Sequence, residues 1–443
     1  MPPQPPTAAS RDEPVIRDRG DACPGALRLH AADDGYLARV RIPGGLLTTR
    51  QASVLGLAAD RFGDGHLELT SRGNVQLRGL ADDCGAGLAR LLDGAGLLPA
   101  PSHERVRNIV ASPMGTHRVV HWVRELDRLL CASTRATALS GRFLFALDEG
   151  RGDVAALDPD VTALARQDGR ALVRLGAAAD AVELGDSDAP HAALLAAEYF
   201  LDAADTAGTR AWRVAELPAG HALDSAEFAR RLAGSGIDAT RVPAVEWPYA
   251  PPPEPRGPGG AGNQTALCVL PPLGRLSTDQ WQVLVQVADR GNGELRVTPW
   301  RSIILPRDAS TRGPVDGYAR IQAAGLVVAP DSPWRSVTSC TGRPGCAKAL
   351  ADVRADARAV VEQAEQAEQA EQAAQAEQAA DALPVHWSGC ARRCGHPRGT
   401  AWVDIVATPD GYDLSGQPVP HADLAAALTA ARRPRTTTPP PTQ

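Results

Sequence analysis

Four of the eight cysteines stand in two tight pairs, Cys340 and Cys346 in "SCTGRPGCAKAL" and Cys390 and Cys394 in "HWSGCARRCGHP". Thiolates are soft metal ligands, and four together suit a structural zinc or a [4Fe-4S] cluster. Zinc knuckles run from C-x2-C to C-x4-C, which the C-x5-C loop of the first pair matches poorly, so the cluster is the better fit. The glycines and proline of "TGRPG" predict a tight loop, and the run after it reads as helix. Such a loop would set sulfurs and amides near a helix N-terminus, where the dipole favours an anion. Cys390 and Cys394 lie four apart, so one helical turn or a compact loop would aim both thiols the same way. Cys23, Cys84, Cys131 and Cys268 are scattered and read as small buried hydrophobes.

A second group of chemical residues lies along "TSRGNVQLRG". Strand alternation puts Arg72, Asn74, Gln76 and Arg78 on one face, with Val75 and Leu77 on the other. Two guanidinium groups and two amides on one face could hold several carboxylates, because arginine pairs with them in bidentate fashion. A merely solvated face would carry the same pattern. The cations are almost all arginine: Lys348, inside the first cysteine motif, is the only lysine. Codon bias explains the scarcity but not the survivor, so Lys348 is expected to serve the site. Among the ten histidines, His386 and His396 flank the second cysteine pair and His30 follows the N-terminal "CPG"; each alone reads as a hydrogen-bonded structural residue.

Around these residues the chain has the composition of an ordinary globular protein, with 44% hydrophobic and 22% charged residues. A net charge of -6 argues against nucleic acid as the main partner. No apolar run reaches membrane-spanning length, and the first twenty residues lack the apolar stretch of a secretory signal, so a cytoplasmic protein without a membrane partner is expected. The Pro-rich ends, 1–20 and 432–443, read as disordered, and 248–264 as a linker between two halves.

The halves resemble each other. "GLLTTRQASVLGLAADR" from Gly45 parallels "GRLSTDQWQVLVQVADR" from Gly274, and "GDGHLELTSRGNVQL" from Gly63 parallels "GNGELRVTPWRSIIL" from Gly291. Each copy predicts a strand, a turn, a Thr-capped amphipathic helix, a Gly-Asp-Gly or Gly-Asn-Gly turn and an alternating strand, which is half of a ferredoxin-like unit. Further on, "RNIVAS" (107–112) can be laid on "RSVTSC" (335–340), and "LSGR" (139–142) on "WSGC" (387–390). That register puts Ser112 and Arg142 in the places of Cys340 and Cys390, as if only the second copy kept a metal site. The tract "EQAEQAEQAEQAAQAEQAA", 362–380, favours helix, but its three-residue repeat drifts around a 3.6-residue turn. It reads as a dispensable solvated insertion.

C-T-G-x-x-G-C followed by H-x-S-G-C-x-x-x-C, with "LTSRGNVQLRG" and "TPWRSIILP" as paired strands, resembles the sulfite and nitrite reductase superfamily from about Cys23 to Val406. Within it, "CPGALRLH", "SCTGRPGCAKALADVRADA" and "SGCARRCGHP" look closest to the precorrin-3B synthases. The resemblance implies an α+β fold: half-units at 21–100 and 265–330 form one domain, flanked by pseudo-symmetric α/β lobes at 101–247 and 331–431. It implies a tetrapyrrole, precorrin-3A, in the central groove, hydroxylated with O2 and closed to a γ-lactone. The implied cofactors are a [4Fe-4S] cluster on Cys340, Cys346, Cys390 and Cys394 and a mononuclear non-haem iron whose ligands no histidine spacing picks out. Electrons would derive from NADH through a donor protein or a linked reductase. Arg107, Arg142 and Arg301 fall where the family lines its groove. One departure stands out: sulfite reducers carry K-F-K where this chain has Arg142-Phe143-Leu144, so the second basic residue is missing. The alternatives are a sirohaem-dependent sulfite or nitrite reductase and a non-catalytic zinc-stabilised binding protein.

Overall fold

The structure, a computed structural model, describes residues 24–243, 245–255, 266–306, 316–371, 383–396 and 401–432. Both chain ends, part of the linker and the distal part of the Glu-Gln-Ala tract therefore lie outside the described residues.

In the first half-unit, β1 (His30–Ala32) and β2 (Gly35–Val40) form a hairpin, followed by β3 (Leu46–Thr48), α1 (Thr49–Phe62), β4 (His66–Leu69), β5 (Val75–Leu80) and α2 (Gly85–Gly94). The first lobe contributes β6 (Ile109–Ala111), α3 (His117–Ala132), β7 (Phe145–Asp148), β8 (Val161–Ala165), β9 (Arg170–Leu175) and β10 (Ala181–Gly185). It closes with α4 (Ala189–Thr206), α5 (Ser225–Gly234) and β11 (Ala239–Val242). The second half-unit has β12 (Ala266–Val269), β13 (Arg275–Ser277), α6 (Thr278–Asp289), β14 (Glu294–Val297), β15 (Ile303–Pro306) and α7 (Asp316–Ala323). In the second lobe come β16 (Val337–Ser339), α8 (Val353–Glu371), β17 (Val385–Ser388), β18 (Val403–Thr408), β19 (Gly411–Leu414), β20 (Gln417–Val419) and α9 (Leu424–Arg432).

The two half-units exchange strands. The first sheet runs β1-β2-β5-β4-β13 and the other β12-β15-β14-β3, so each borrows the strand that precedes its partner's helix. Their repeat extends to backbone geometry: Gly45 and Gly274 have φ of 69° and 68°, Gly65 and Gly293 of 74° and 75°, Gly73 and Arg301 of 66° and 60°. Capping boxes start both helices, on Thr48 with Gln51 and on Ser277 with Gln280, so serine and not threonine caps the second copy. The apolar faces of α1 and α6 pack in one core, where the buried Trp281 indole N–H donates to the Ala52 carbonyl at 2.7 Å.

Each lobe repeats one topology. In the first, β6, β7 and β8 are parallel and β9 and β10 return antiparallel; β16 to β20 do the same in the second. The pairing of Ile109 with Phe145 and of Val337 with Val385 fixes the true register between lobes. Ser112 then does occupy the place of Cys340, directly after the first strand. Arg142 does not occupy that of Cys390: "LSGR" precedes β7 whereas "WSGC" ends β17, and the counterpart of Cys390 is Gly150. A shared Ser-Gly pair drew the two segments into a false match that strand pairing corrects. The described part of the connector is not free either: the Arg335 guanidinium donates to the Glu254 carboxylate at 2.6 Å.

Candidate functional site

The strand ends of the second lobe build the cysteine site. Cys340 follows β16, and its amide donates to the Trp387 carbonyl on β17 at 2.9 Å. Cys390 follows β17, and the amide of Gly389 beside it donates to the Cys340 Sγ at 3.1 Å. Leu350 N–H in turn donates to the Gly389 carbonyl at 2.8 Å, so the two loops are stitched together. Gly389 admits this approach because any Cβ would stand 2.6 Å from the Ala349 Cβ. Burial pushes the Cys394 thiol up, as do Cys340, Cys390 and Cys346, while Arg392 opposes them. The bonds between the two loops bring the cysteine pairs together, and thiols so gathered can hold a soft metal group.

Of the two forms expected for the Cys390–Cys394 segment, the structure shows the compact loop, a sequence of turns with Arg393 at φ 50°. One expectation about this region changes. Helix α8 begins only at Val353, well after Cys346, and its first amides are taken by the Asp352 carboxylate. Its N-terminus therefore has its anion already. The other cysteines follow the bland reading where they are described: Cys84 and Cys268 are buried, burial pushes the Cys268 thiol up to about 12, and Cys131 is half-buried.

Behind the second pair, fully buried His386 sits between the Thr338 hydroxyl, 2.9 Å from Nδ1, and the Cys394 carbonyl, 3.1 Å from Nε2. A carbonyl only accepts, so Nε2 carries the proton and Nδ1 receives the hydroxyl. Burial pushes the pKa down to about 4, keeping the ring neutral. This is the structural histidine expected from sequence, fastening the cysteine loop from below. His396 is exposed and stacks on Trp402; His30 lies exposed on β1.

The polar face of β5 forms as alternation requires, since Val75 and Leu77 are fully buried in the core behind it. It is not open, however. Asn74 accepts from the Ile42 amide at 2.9 Å, and Gln76 lies between Arg39 and Glu68 at 2.9 and 3.1 Å. Arg78 makes a bidentate pair with Asp34, both bonds 2.8 Å, and donates to the Gly345 carbonyl. Arg72 sits in the turn before the strand and donates to the Gly141 carbonyl. Arg107 is buried in a bidentate pair with Asp127 and borders a cavity of about 240 Å³ with Arg41, Arg124 and Glu294. Arg142 is exposed, with its guanidinium over Trp212.

Arg301 differs from these. It is half-buried in the left-handed turn after β14, and among the described residues its guanidinium makes no hydrogen bond or ion pair. Gly274 leaves room for its stem, and a Cβ at Gly395 of the cysteine loop would lie 3.3 Å from its Nη2. Burial pushes its pKa down, with Glu68 opposing and Arg354 adding to the effect. A cation that burial disfavours and that has no partner among the described residues can receive an anion. Lys348 is exposed, and its ammonium has no partner among the described residues. Leu144 is buried with Val110, Ala146 and Val154 in a small apolar cluster, so it faces no groove. Among the described residues no three His, Cys, Asp or Glu side chains converge closely enough for a single ion, so a mononuclear iron has no ligand set there.

The duplicated sheets of the half-units are also what known proteins match. A family model described as the nitrite/sulfite reductase ferredoxin-like half domain fits residues 30–92 and 258–311, the two copies of the repeat. The fold is that of the nitrite and sulfite reductases. A precorrin-3B synthase from Sinorhizobium sp. is 26% identical over 90% of this chain and 83% of its own length. A ferredoxin-nitrite reductase from Leptolyngbya laminosa is also 26% identical, over 88% of this chain and 82% of its own. The NirA protein of Mycobacterium tuberculosis shares the fold, with a TM-score of 0.60 at 18% identity, over 86% of this chain and 74% of the other. The Leptolyngbya relative is named as a reductase, and no helix among the described residues is long and apolar enough to cross a membrane.

Sequence reading missed Asp33 and Asp34. Their "DDG" turn signals a hairpin, but the loop that Asp33 holds lies 314 residues away, where no local pattern could reveal it.

Proposed function

We propose that this chain is a precorrin-3B synthase-like monooxygenase: it would hydroxylate precorrin-3A with O2 and promote closure of a γ-lactone. The alternative reading is a sirohaem-dependent nitrite or sulfite reductase. One oxygen atom would enter the substrate and the other leave as water, with two electrons and two protons from a reductant. The observation that carries the proposal is that two stitched cysteine loops stand beside Arg301, which makes no hydrogen bond or ion pair among the described residues. Leu144, where sulfite reducers have a basic residue, is turned into an apolar cluster. The likeness to the Sinorhizobium protein over most of both chains supports the same reading.

Cys340, Cys346, Cys390 and Cys394 would hold the [4Fe-4S] cluster, which when bound supplies single electrons from an external donor. What supports this is that the Gly389 amide on the Cys340 sulfur and the Leu350 amide on the Gly389 carbonyl draw the two cysteine loops together, as one shared group requires. Arg301 would receive a carboxylate of the tetrapyrrole, with Arg72, Arg142 and Lys348 as further cations; Asn74, Gln76 and Arg107 would shape the groove through the partners they already hold.

Turnover of precorrin-3A under O2 with a reducing system is the direct test. Arg301→Gln should raise KM on the order of tenfold or more, the worth of a charge-assisted hydrogen bond, with the cluster spectrum unchanged. Reduction of nitrite or sulfite without consumption of precorrin-3A would move the assignment to the reductase reading.

A further inference from the structure

The turn of the β1–β2 hairpin and the end of β5 meet the first cysteine loop directly. Asp33 accepts the Ala347 amide, immediately after Cys346, and Arg78 donates to the Gly345 carbonyl, immediately before it, at 2.8 Å. Asp34 locks Arg78 in place through two 2.8 Å bonds, and the Arg78 side chain is only 6% exposed. Gly345 has no room for a side chain: a Cβ would stand 2.7 Å from Thr341 Cγ2, 2.8 Å from Asp34 Oδ2 and 3.0 Å from Arg78 Nη2. A second tie lies nearby, from Arg354 on α8 to Glu68 on β4 at 2.6 Å.

The second half-unit makes a similar crosswise tie, from a different position of the repeat. Arg296, on β14 of the second half-unit, donates to the Pro113 and Gly115 carbonyls at 2.9 and 2.7 Å. Those residues follow Ser112, the counterpart of Cys340, and the Glu149 amide donates to the Ser112 Oγ at 3.0 Å just as the Gly389 amide donates to the Cys340 Sγ at 3.1 Å. Each half-unit thus reaches over to the opposite lobe and holds the loop after its first strand with an arginine.

We infer that Asp33, Asp34 and Arg78 are positioning residues for the metal centre: the first half-unit clamps both peptide groups flanking Cys346 and so sets where that thiolate stands. The inference rests on the reading of the four cysteines as cluster ligands. It removes Arg78 from the set of direct substrate ligands, because its strongest donors are spent on Asp34 and Gly345. A buried, bidentate, charge-assisted arrangement fixes a geometry more tightly than the exposed loop could by itself.

The test uses the full chain with its cluster reconstituted. Iron and sulfide per chain in the unsubstituted protein come first: their absence would sink the cluster reading itself and leave the clamp without an object. With the cluster present, Asp34→Asn and Arg78→Gln should release iron to a chelator on the order of tenfold faster, the factor one charge-assisted hydrogen bond supplies. They should also shift the electron paramagnetic resonance signal and reduction potential of the reduced cluster, with KM for the tetrapyrrole unchanged. Arg78→Lys, which can reach one partner but not both, should fall between. Asp33→Ala, on the exposed hairpin, keeps the test open should the buried variants fail to fold. Wild-type signal, potential and iron release in these variants, with a raised KM in Arg78→Gln, would overturn the clamp and return Arg78 to substrate binding.

Discussion

Asp160 shows how single side chains in this protein are set by their surroundings. It is 1% exposed, accepts the Leu144 and Val214 amides and pairs with Arg213, yet burial outweighs these partners and pushes its pKa up to about 6. A carboxyl raised in the folded state binds its proton more tightly there than in the unfolded chain. Its contribution to stability is therefore full below about pH 4 and is lost as pH rises through 6, by about 3 kcal/mol at most. Thermal unfolding of the wild type and Asp160→Asn across pH 4 to 7 checks this. The difference in stability between them should move in the variant's favour as pH rises through 6, and a pH-independent difference would contradict it. The two cysteine pairs were legible at this scale as a candidate set because spacing alone groups them, and the structure stitches their loops together. The arginines were legible only as a face: Arg78 and Arg107 look in sequence like Arg301, and what separates them, the carboxylates of Asp34 and Asp127, comes from elsewhere in the chain.

Among the elements, the pair of repeat helices tests the packing account most sharply. Gly56 on α1 lies where a Cβ would stand 3.1 Å from the Trp281 ring, and this gap lets the indole reach the Ala52 carbonyl. Trp281→Phe removes the hydrogen bond and leaves a void, and should cost about 2 kcal/mol in stability. Urea unfolding reads this directly, and an unchanged midpoint would mean the core refills without the indole. Helices, caps and glycine turns were readable in advance because each depends on a few adjacent residues. The register of the lobes was not: "LSGR" and "WSGC" share letters, but hydrogen bonding between β6 and β7 and between β16 and β17 decides which positions correspond.

At the level of the whole molecule the exchange of β3 and β13 makes the two halves interdependent. A fragment ending at residue 255 lacks the strand that completes the sheet of β5 and β4, and one starting at residue 256 lacks the strand that pairs with β14. Expressed separately, each should stay unfolded or aggregate through its open sheet edge, and expressed together they should reassemble. Circular dichroism and size-exclusion chromatography of the fragments would show it, and a folded soluble single half would refute the interdependence. The duplication itself was visible in the aligned segments, whereas the swap was not, since both arrangements bury the same apolar residues. The swap also brings each half-unit's sheet against the opposite lobe, the placement that lets Arg78 and Arg296 act across the molecule. The paired cysteines lie in one lobe only, with Ser112 standing where the other has Cys340.

That asymmetric metal centre is the central claim, and an anaerobic ultraviolet-visible spectrum with iron, sulfide and zinc analysis of the purified chain tests it most directly. A broad iron-sulfur absorbance without sharp haem bands, with about four irons and four sulfides per chain that disappear in Cys390→Ser, is the expected result. Zinc without iron, or a full iron content in Cys390→Ser, would contradict it.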